Sequence, residues 1–208
     1  MAVDWNSMPD KLTLPKIYLA GPDVFLPDPF SIGKKKKDLC EQSGFTGVFP
    51  LDAGVVSTNL KKREQGLQIS RNNESLIRSC DLLIANMTPF RSPSLDVGTA
   101  FELGFARALG KPILGYTNDA RGFKVRASEH FERINERDDG RLEDSYGMLI
   151  EDLDLTDNLM IDGAIYASSK TWVVVPRETK KDYYSDLWGF EECLMLARKV
   201  FKGSRRTA

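Results

Sequence analysis

Asp81-Leu82-Leu83-Ile84-Ala85-Asn86-Met87 is an almost unbroken apolar run headed by an acid. A strand apolar on both faces belongs inside a parallel sheet, where helices cover both sides. After it, Thr88 to Ser94 holds Pro89 and Pro93 and reads as a loop. A helix follows from about Asp96 to Leu109, stopped by Gly110-Lys111-Pro112, and Ile113-Leu114-Gly115-Tyr116 is the next strand. Before it, Glu64 to Ser79 reads as a helix with Leu67, Ile69, Leu76 and Ile77 set among charges. Phe45 to Pro50 reads as a strand, followed by Leu51-Asp52-Ala53-Gly54 as a turn. Ser31 to Gly44 reads as a helix, with Ser31 as N-cap and Gly44 as its stop. Asp23 to Phe30 is a proline-rich loop, and Lys16-Ile17-Tyr18-Leu19-Ala20 is a first strand ended by Gly21-Pro22.

Strands and helices that alternate in this way predict a single α/β domain. Its expected core is a doubly wound, flavodoxin-like parallel sheet with helices on both faces. Ligands of such sheets bind in the crevice at the carboxyl ends of the strands. The loops beginning at Gly21, Asp52, Met87 and Thr117 all leave from those ends. One hollow is therefore expected among Tyr18, the proline-rich loop, Asp52, Asp96 and the start of the Glu102 helix.

Composition narrows the chemistry. The 208 residues suit one domain, and a net charge of −1 gives no bulk attraction to nucleic acid. No apolar run approaches the roughly 20 residues of a membrane span. Cys40, Cys80 and Cys193 have no metal-ligand spacing, and without an apolar leader a cytoplasmic setting is expected. His130, the one histidine, lies in a charged stretch and reads as a solvated residue, so a zinc site built on several histidines is excluded. Catalysis should run on carboxylates, amides and tyrosine, with no metal and no cofactor.

The remaining segments say less. Residues 1–15 read as an extended arm, 16–203 as the domain, and 204–208 as a basic tail. Lys34 to Lys37 reads as a solvated helix face rather than a phosphate patch. Residues 118–156 are highly charged and read as a surface excursion, part helix and part mobile loop. Trp172 to Pro176 reads as a strand, and Tyr183 to Val200 as a closing amphipathic helix.

Glu102 is the residue that demands an account. A carboxylate among Phe101, Leu103 and small neighbours, near a buried helix start, is costly unless paired or used. Taken in isolation, Thr99-Ala100-Phe101-Glu102 matches a capping box. A capping glutamate is usually half exposed, whereas this one should face the crevice, with Asp96 six residues earlier.

Four motifs together resemble the nucleoside 2-deoxyribosyltransferase family. They are Tyr18-Leu19-Ala20-Gly21-Pro22, Ile77-x-x-Cys80-Asp81, Asp96-x-Gly98-x-x-x-Glu102-Leu103-Gly104 and Asn158-Leu159-Met160. The resemblance covers most of the chain from Lys16 to about Ala167. It implies that Glu102 attacks the anomeric carbon of a 2-deoxyribonucleoside and that a second base resolves the ester, with free nucleobases as partners. It further implies that Tyr18 orients Glu102 and that Asp96 holds a sugar hydroxyl. Asn158 and Met160 would reach into a neighbouring subunit's site, which requires a homo-oligomer.

Two positions leave questions. Asn73 stands where some relatives carry an aspartate near the base, and an amide cannot serve as a general acid. Asp52, Asp96, Glu74 and solvent remain candidates for that proton. Phe25 is a candidate for stacking on the base, and Gly21 for close approach of a ligand. Rival readings are a nucleoside 5-monophosphate hydrolase, with Arg91, Ser92 and Ser94 on the phosphate, and a non-catalytic nucleotide-sensing module. A dinucleotide oxidoreductase is disfavoured, since no G-x-G-x-x-G follows the first strand.

Overall fold

The structure is a computed structural model that describes residues 14–54, 58–131 and 133–204. The expected arm lies outside these up to residue 13, and residues 205–208 of the expected tail lie outside them as well. Four parallel strands form the sheet: β1 (Lys16–Ala20), β2 (Thr46–Val48), β3 (Leu82–Asn86) and β4 (Ile113–Tyr116). Their order is β2-β1-β3-β4, and Val174 adds one parallel bridge beside Tyr116. This is the flavodoxin-like order, in which the winding of the strand order reverses at the junction of β1 and β3 and opens a crevice there.

Side-chain alternation along β1 separates two cores. Ile17 and Leu19 enter the layer holding Cys40, Phe190 and Leu194, whereas Tyr18 and Ala20 face Ile77, Leu103, Ala106 and Ile165. The first layer carries α1 (Pro29–Gln42) and α6 (Trp188–Ser204). The second carries α2 (Lys62–Ser79), α3 (Val97–Ala108) and α5 (Leu159–Ser169). Every residue of β3 is buried, as its apolar run requires.

The helix boundaries correct several expectations. The first helix begins at Pro29 rather than Ser31, because proline suits the first helical turn and Asp28 accepts the Ser31 N–H at 3.0 Å. The proline-rich loop also contains a 3-10 turn, Pro22–Phe25. Gly44, at φ 83°, does follow the end of α1. Trp172 to Pro176 pairs through one bridge only, and α6 begins at Trp188, leaving Tyr183 and Tyr184 in a loop.

Lys36 overturns the solvated reading of the lysine run. It is 1% exposed and bonds Asp23 at 2.7 Å, with its ammonium over the rings of Tyr116 and Phe190. Periodicity explains this: one position in such a run must face the sheet, and a buried ammonium requires a partner. Lys34 and Lys37 meet Asp38 and Asp52 nearer the surface.

The charged stretch 118–156 is more ordered than its composition suggests. It forms α4 (Phe123–His130) and a small hairpin of β5 (Asn135–Glu136) and β6 (Leu142–Glu143). Asn118, Asp119, Arg126 and Asp144 anchor it from within. Burial alone would raise the Asp119 carboxyl pKa, but bonds from Arg121 and Tyr183 outweigh it and hold the group well below the carboxylate range. Cys40, Cys80 and Cys193 are free and buried, with burial pushing the Cys80 thiol up to about 11, so they serve packing. No helix among the described residues is long and apolar enough to cross a membrane.

Candidate active site

Glu102 does not cap its helix. The N-cap of α3 is Asp96, whose Oδ2 accepts the Thr99 N–H at 2.9 Å and the Thr99 hydroxyl at 3.2 Å. Glu102 therefore lies in the second turn, where its side chain reaches back toward the sheet. There the Tyr18 hydroxyl donates to Glu102 Oε1 at 2.6 Å. Tyr18 is fully buried in the middle of β1, so the phenol is held by the core and the carboxylate by the phenol.

The electrostatics of the pair are unequal. Burial pushes the Glu102 carboxyl up to about 7, the Tyr18 bond opposes that rise, and the negative charge of Asp96 adds to it. Burial, with the charge and hydrogen bond of Glu102, drives the Tyr18 phenol far above its ordinary range. Tyr18 thus remains a donor, while Glu102 can ionise near neutrality. An ionised carboxylate fixed by a neutral donor can attack an electron-poor carbon or shield a developing cation.

The turn after β1 closes one side of the crevice. Gly21 has φ 152°, and a Cβ there would come within 2.4 Å of Asp23 Oδ2 and 2.7 Å of Asn86 Cβ. The site thus requires a residue without a side chain at this point. Asn86, at the end of β3, accepts the N–H and hydroxyl of Thr88, and Thr88 Oγ1 accepts the Asn118 N–H at 3.0 Å. These bonds tie the ends of β3 and β4 into one rim, and the Asn86 amide reaches Asp23, in the turn after β1, at 3.4 Å. Asn86 was readable as the polar residue ending an apolar run; Asn118 carried no such signal.

The other expected residues fall in different surroundings. Asp52 is committed on both oxygens, to Lys37 at 2.8 Å and to the Phe49 N–H at 2.9 Å. Asn73 is half-buried on α2, and its side chain bonds no other described residue. Phe25 is 54% exposed and stacks on Phe90 at 5.3 Å between centroids. The Arg91 guanidinium lies 5.0 Å and 4.5 Å from those two ring centres. Asn158 caps α5 by accepting the Met160 N–H at 3.0 Å, and its amide donates to Glu151 at 2.7 Å. Met160 is 71% exposed.

Cavities alone do not point to the carboxylate. A hollow of about 370 Å³ lies between the start of α4 and residues 151–157. A cleft of about 340 Å³ is lined by Arg91, Ser92, Arg126, His130, Tyr183 and Tyr184. Neither has Glu102 in its walls, and the chemistry is assigned by the Glu102–Tyr18 contact rather than by volume.

The family description "nucleoside 2-deoxyribosyltransferase" matches residues 17–160. The chain belongs to that family. An uncharacterized protein of Schizosaccharomyces pombe is 31% identical over 166 residues, covering 74% of this chain and 79% of its own. A 2-deoxyribosyltransferase from Leishmania mexicana superposes with a TM-score of 0.59 at 28% identity, over 87% of this chain and 97% of that one. A conserved protein from Enterococcus faecalis shares the fold, with a TM-score of 0.51 at 19% identity over 90% and 99% of the chains. The family match takes in Tyr18, Gly21, Asp96, Glu102 and Asn158 and ends on Met160.

Proposed function

We propose that this member of the family transfers 2-deoxyribose between purine and pyrimidine bases by double displacement on Glu102. The free carboxylate oxygen of Glu102 attacks C1′ of a deoxyribonucleoside. A C–O ester bond forms as the N-glycosidic bond breaks, and its electron pair leaves with the base, which takes up a proton. A nitrogen of a second base then attacks C1′, releases Glu102 as carboxylate and loses its proton. Two inversions give net retention. The observation that carries this reading is the 2.6 Å bond from Tyr18 to Oε1 of Glu102, which leaves Oε2 without a hydrogen bond among the described residues.

Asp96 caps α3 through Oδ2, and its Oδ1 is the atom we assign to a sugar hydroxyl. A 2-deoxy sugar suits the site because a 2-hydroxyl would oppose the developing charge inductively and crowd the nucleophile. With Asp52 bound on both oxygens, the proton for the leaving base is assigned to Asp96, Glu74 or water.

The exposed apolar residues support an oligomer. Val97 and Phe101 on α3 are 85% and 58% exposed, and Leu159 and Met160 on α5 are 43% and 71% exposed. Such a surface beside the site suits a second copy, which would bring Asn158 and Met160 to its neighbour's crevice.

Hydrolysis of nucleoside 5-monophosphates is the second reading, carried by Arg91 and Ser92. Against it, Ser94 donates its hydroxyl to the Asp157 carboxylate, which disfavours a phosphate there. Thymidine and its 5-monophosphate, each incubated with and without adenine, separate the two. Deoxyadenosine formed only with adenine supports transfer; free thymine released at a rate indifferent to adenine sinks it.

A further inference from the structure

Lys36 is matched by Asp23 within the core, but a second buried cation beside the site is left without a task. Arg126, on α4, is 3% exposed although it belongs to the most charged part of the chain. Its Nε donates to the Pro93 carbonyl at 2.8 Å and its Nη1 to the Arg121 carbonyl at 2.8 Å. Its Nη2 donates to the Thr156 carbonyl at 2.6 Å and meets Asp157 Oδ2 at 3.3 Å. One planar fork thus joins three segments: the loop before α3, the start of α4 and the lead into α5.

Asp157 carries the connection into the site. It is 1% exposed, and its Oδ1 accepts the Ser94 hydroxyl and the Asn158 N–H, the latter at 2.8 Å. Its Oδ2 accepts the Leu95 N–H at 3.0 Å. Asp162 on α5 holds the backbone beneath it, accepting the N–H groups of Thr156 at 3.1 Å and Asp157 at 2.9 Å. One carboxylate therefore grips the two residues immediately before Asp96 and the residue Asn158 itself.

We propose that Arg126 is a positioning residue for the deoxyribose subsite, acting through Asp157 to fix the backbone from which Asp96 and Asn158 project. The inference rests on the proposed transferase reading and assigns the charged stretch a role as a strut behind that subsite. A buried ion pair gives little net stability over a well-packed apolar pair, so stability alone is a weak reason for this one. Placement is a stronger reason, because small displacements of substrate-holding groups are costly in rate. The bonds converge on neighbours of Asp96 and Asn158 rather than on either apolar core.

The test uses the full-length protein with thymidine as donor and adenine as acceptor. Arg126→Lys keeps the charge and loses the fork; Asp157→Asn keeps the shape and loses the charge. In both, kcat should fall by about tenfold or more and the thymidine KM should rise. The adenine KM should stay at its wild-type value, because the strut bears on the sugar subsite rather than on the place of the incoming base. Lys124→Ala, on the same helix, should leave all three constants unchanged. A purely structural role would scale the rate with the folded fraction and leave both KM values alone. The inference is overturned if folded Arg126→Lys and Asp157→Asn keep wild-type constants, or if both KM values move together. Wild-type protein that turns over no deoxynucleoside would instead sink the functional reading, and this inference with it.

Discussion

Tyr18 and Glu102 stand 84 positions apart in the chain and 2.6 Å apart in space. The first is fixed by the sheet and the second by a helix, so neither can drift without disturbing the core. The bond lowers the carboxyl pKa that burial raises. Tyr18→Phe should therefore fold and cost about 1–3 kcal/mol of stability at most, as for loss of one hydrogen bond to a charged group. Its kcat should fall by about ten- to a hundredfold. The acid limb of its kcat/KM profile should move to higher pH. An unchanged limb would show that the phenol does not bear on Glu102.

The wild-type pH profile follows from the ionisation of Glu102. In the proposed mechanism attack needs the carboxylate, so kcat/KM should rise with pH through about 7 and then level off. A limb near the ordinary carboxylate range, around pH 4.5, would mean that Glu102 is better solvated than its surroundings indicate.

Stability carries the same signature with the opposite sense. The folded carboxyl pKa, about 7, lies above its ordinary 4.5. The native state thus holds this proton more tightly than the unfolded state. This contribution to stability is complete below pH 4.5 and is lost as pH rises through 7. Glu102→Gln should consequently be more stable than wild type at pH 8, by on the order of 2–3 kcal/mol, and nearly equal to it at pH 4. Denaturant titrations at the two pH values check this, and activity should be abolished in the same variant.

Asp96 combines a cap with a charge, and the two can be separated. Asparagine caps helices as well as aspartate, so Asp96→Asn should stay within about 0.5 kcal/mol of wild type. It should shift the Glu102 limb to lower pH by removing a neighbouring negative charge. Asp96→Ala should lose about 1 kcal/mol in addition. Equal stability of the two variants would deny the cap its role.

Gly21→Ala probes the turn beside the crevice. The added methyl would meet Asp23 Oδ2 at 2.4 Å and Asn86 Cβ at 2.7 Å, at a φ of 152°. A loss of roughly 2–4 kcal/mol is expected, from strain and overpacking together. Thermal unfolding measures it, and a loss below about 0.5 kcal/mol, the scale of an ordinary surface substitution, would show that the turn yields freely.

The layered fold was legible because its signals are local and repeated. The β4 bounds Ile113–Tyr116 and the fully buried β3 follow directly from hydrophobic runs punctuated by glycine and proline. The start of α1 lies inside the stretch that reads as a proline-rich loop, because Pro29 is favoured in a first helical turn and gives no sign of helix by itself. Glu102 was found through its cost: a charge in apolar company asks for a partner. Arg126 was missed for the converse reason. In a sequence full of charges, one buried arginine has no local mark, and all its partners but Arg121 lie 30 or more positions away, at Pro93, Thr156 and Asp157.

The pairing of β1 with β3 decides when the molecule becomes functional. Tyr18 reaches its place beside Leu83 only when two parallel strands far apart in sequence have joined, and the Glu102 helix packs on the surface they create. Helices form within microseconds, whereas non-local parallel pairing is slow because the intervening chain must first be closed into a loop. A refolding chain will therefore recover its helical signal well before Tyr18 and Glu102 meet.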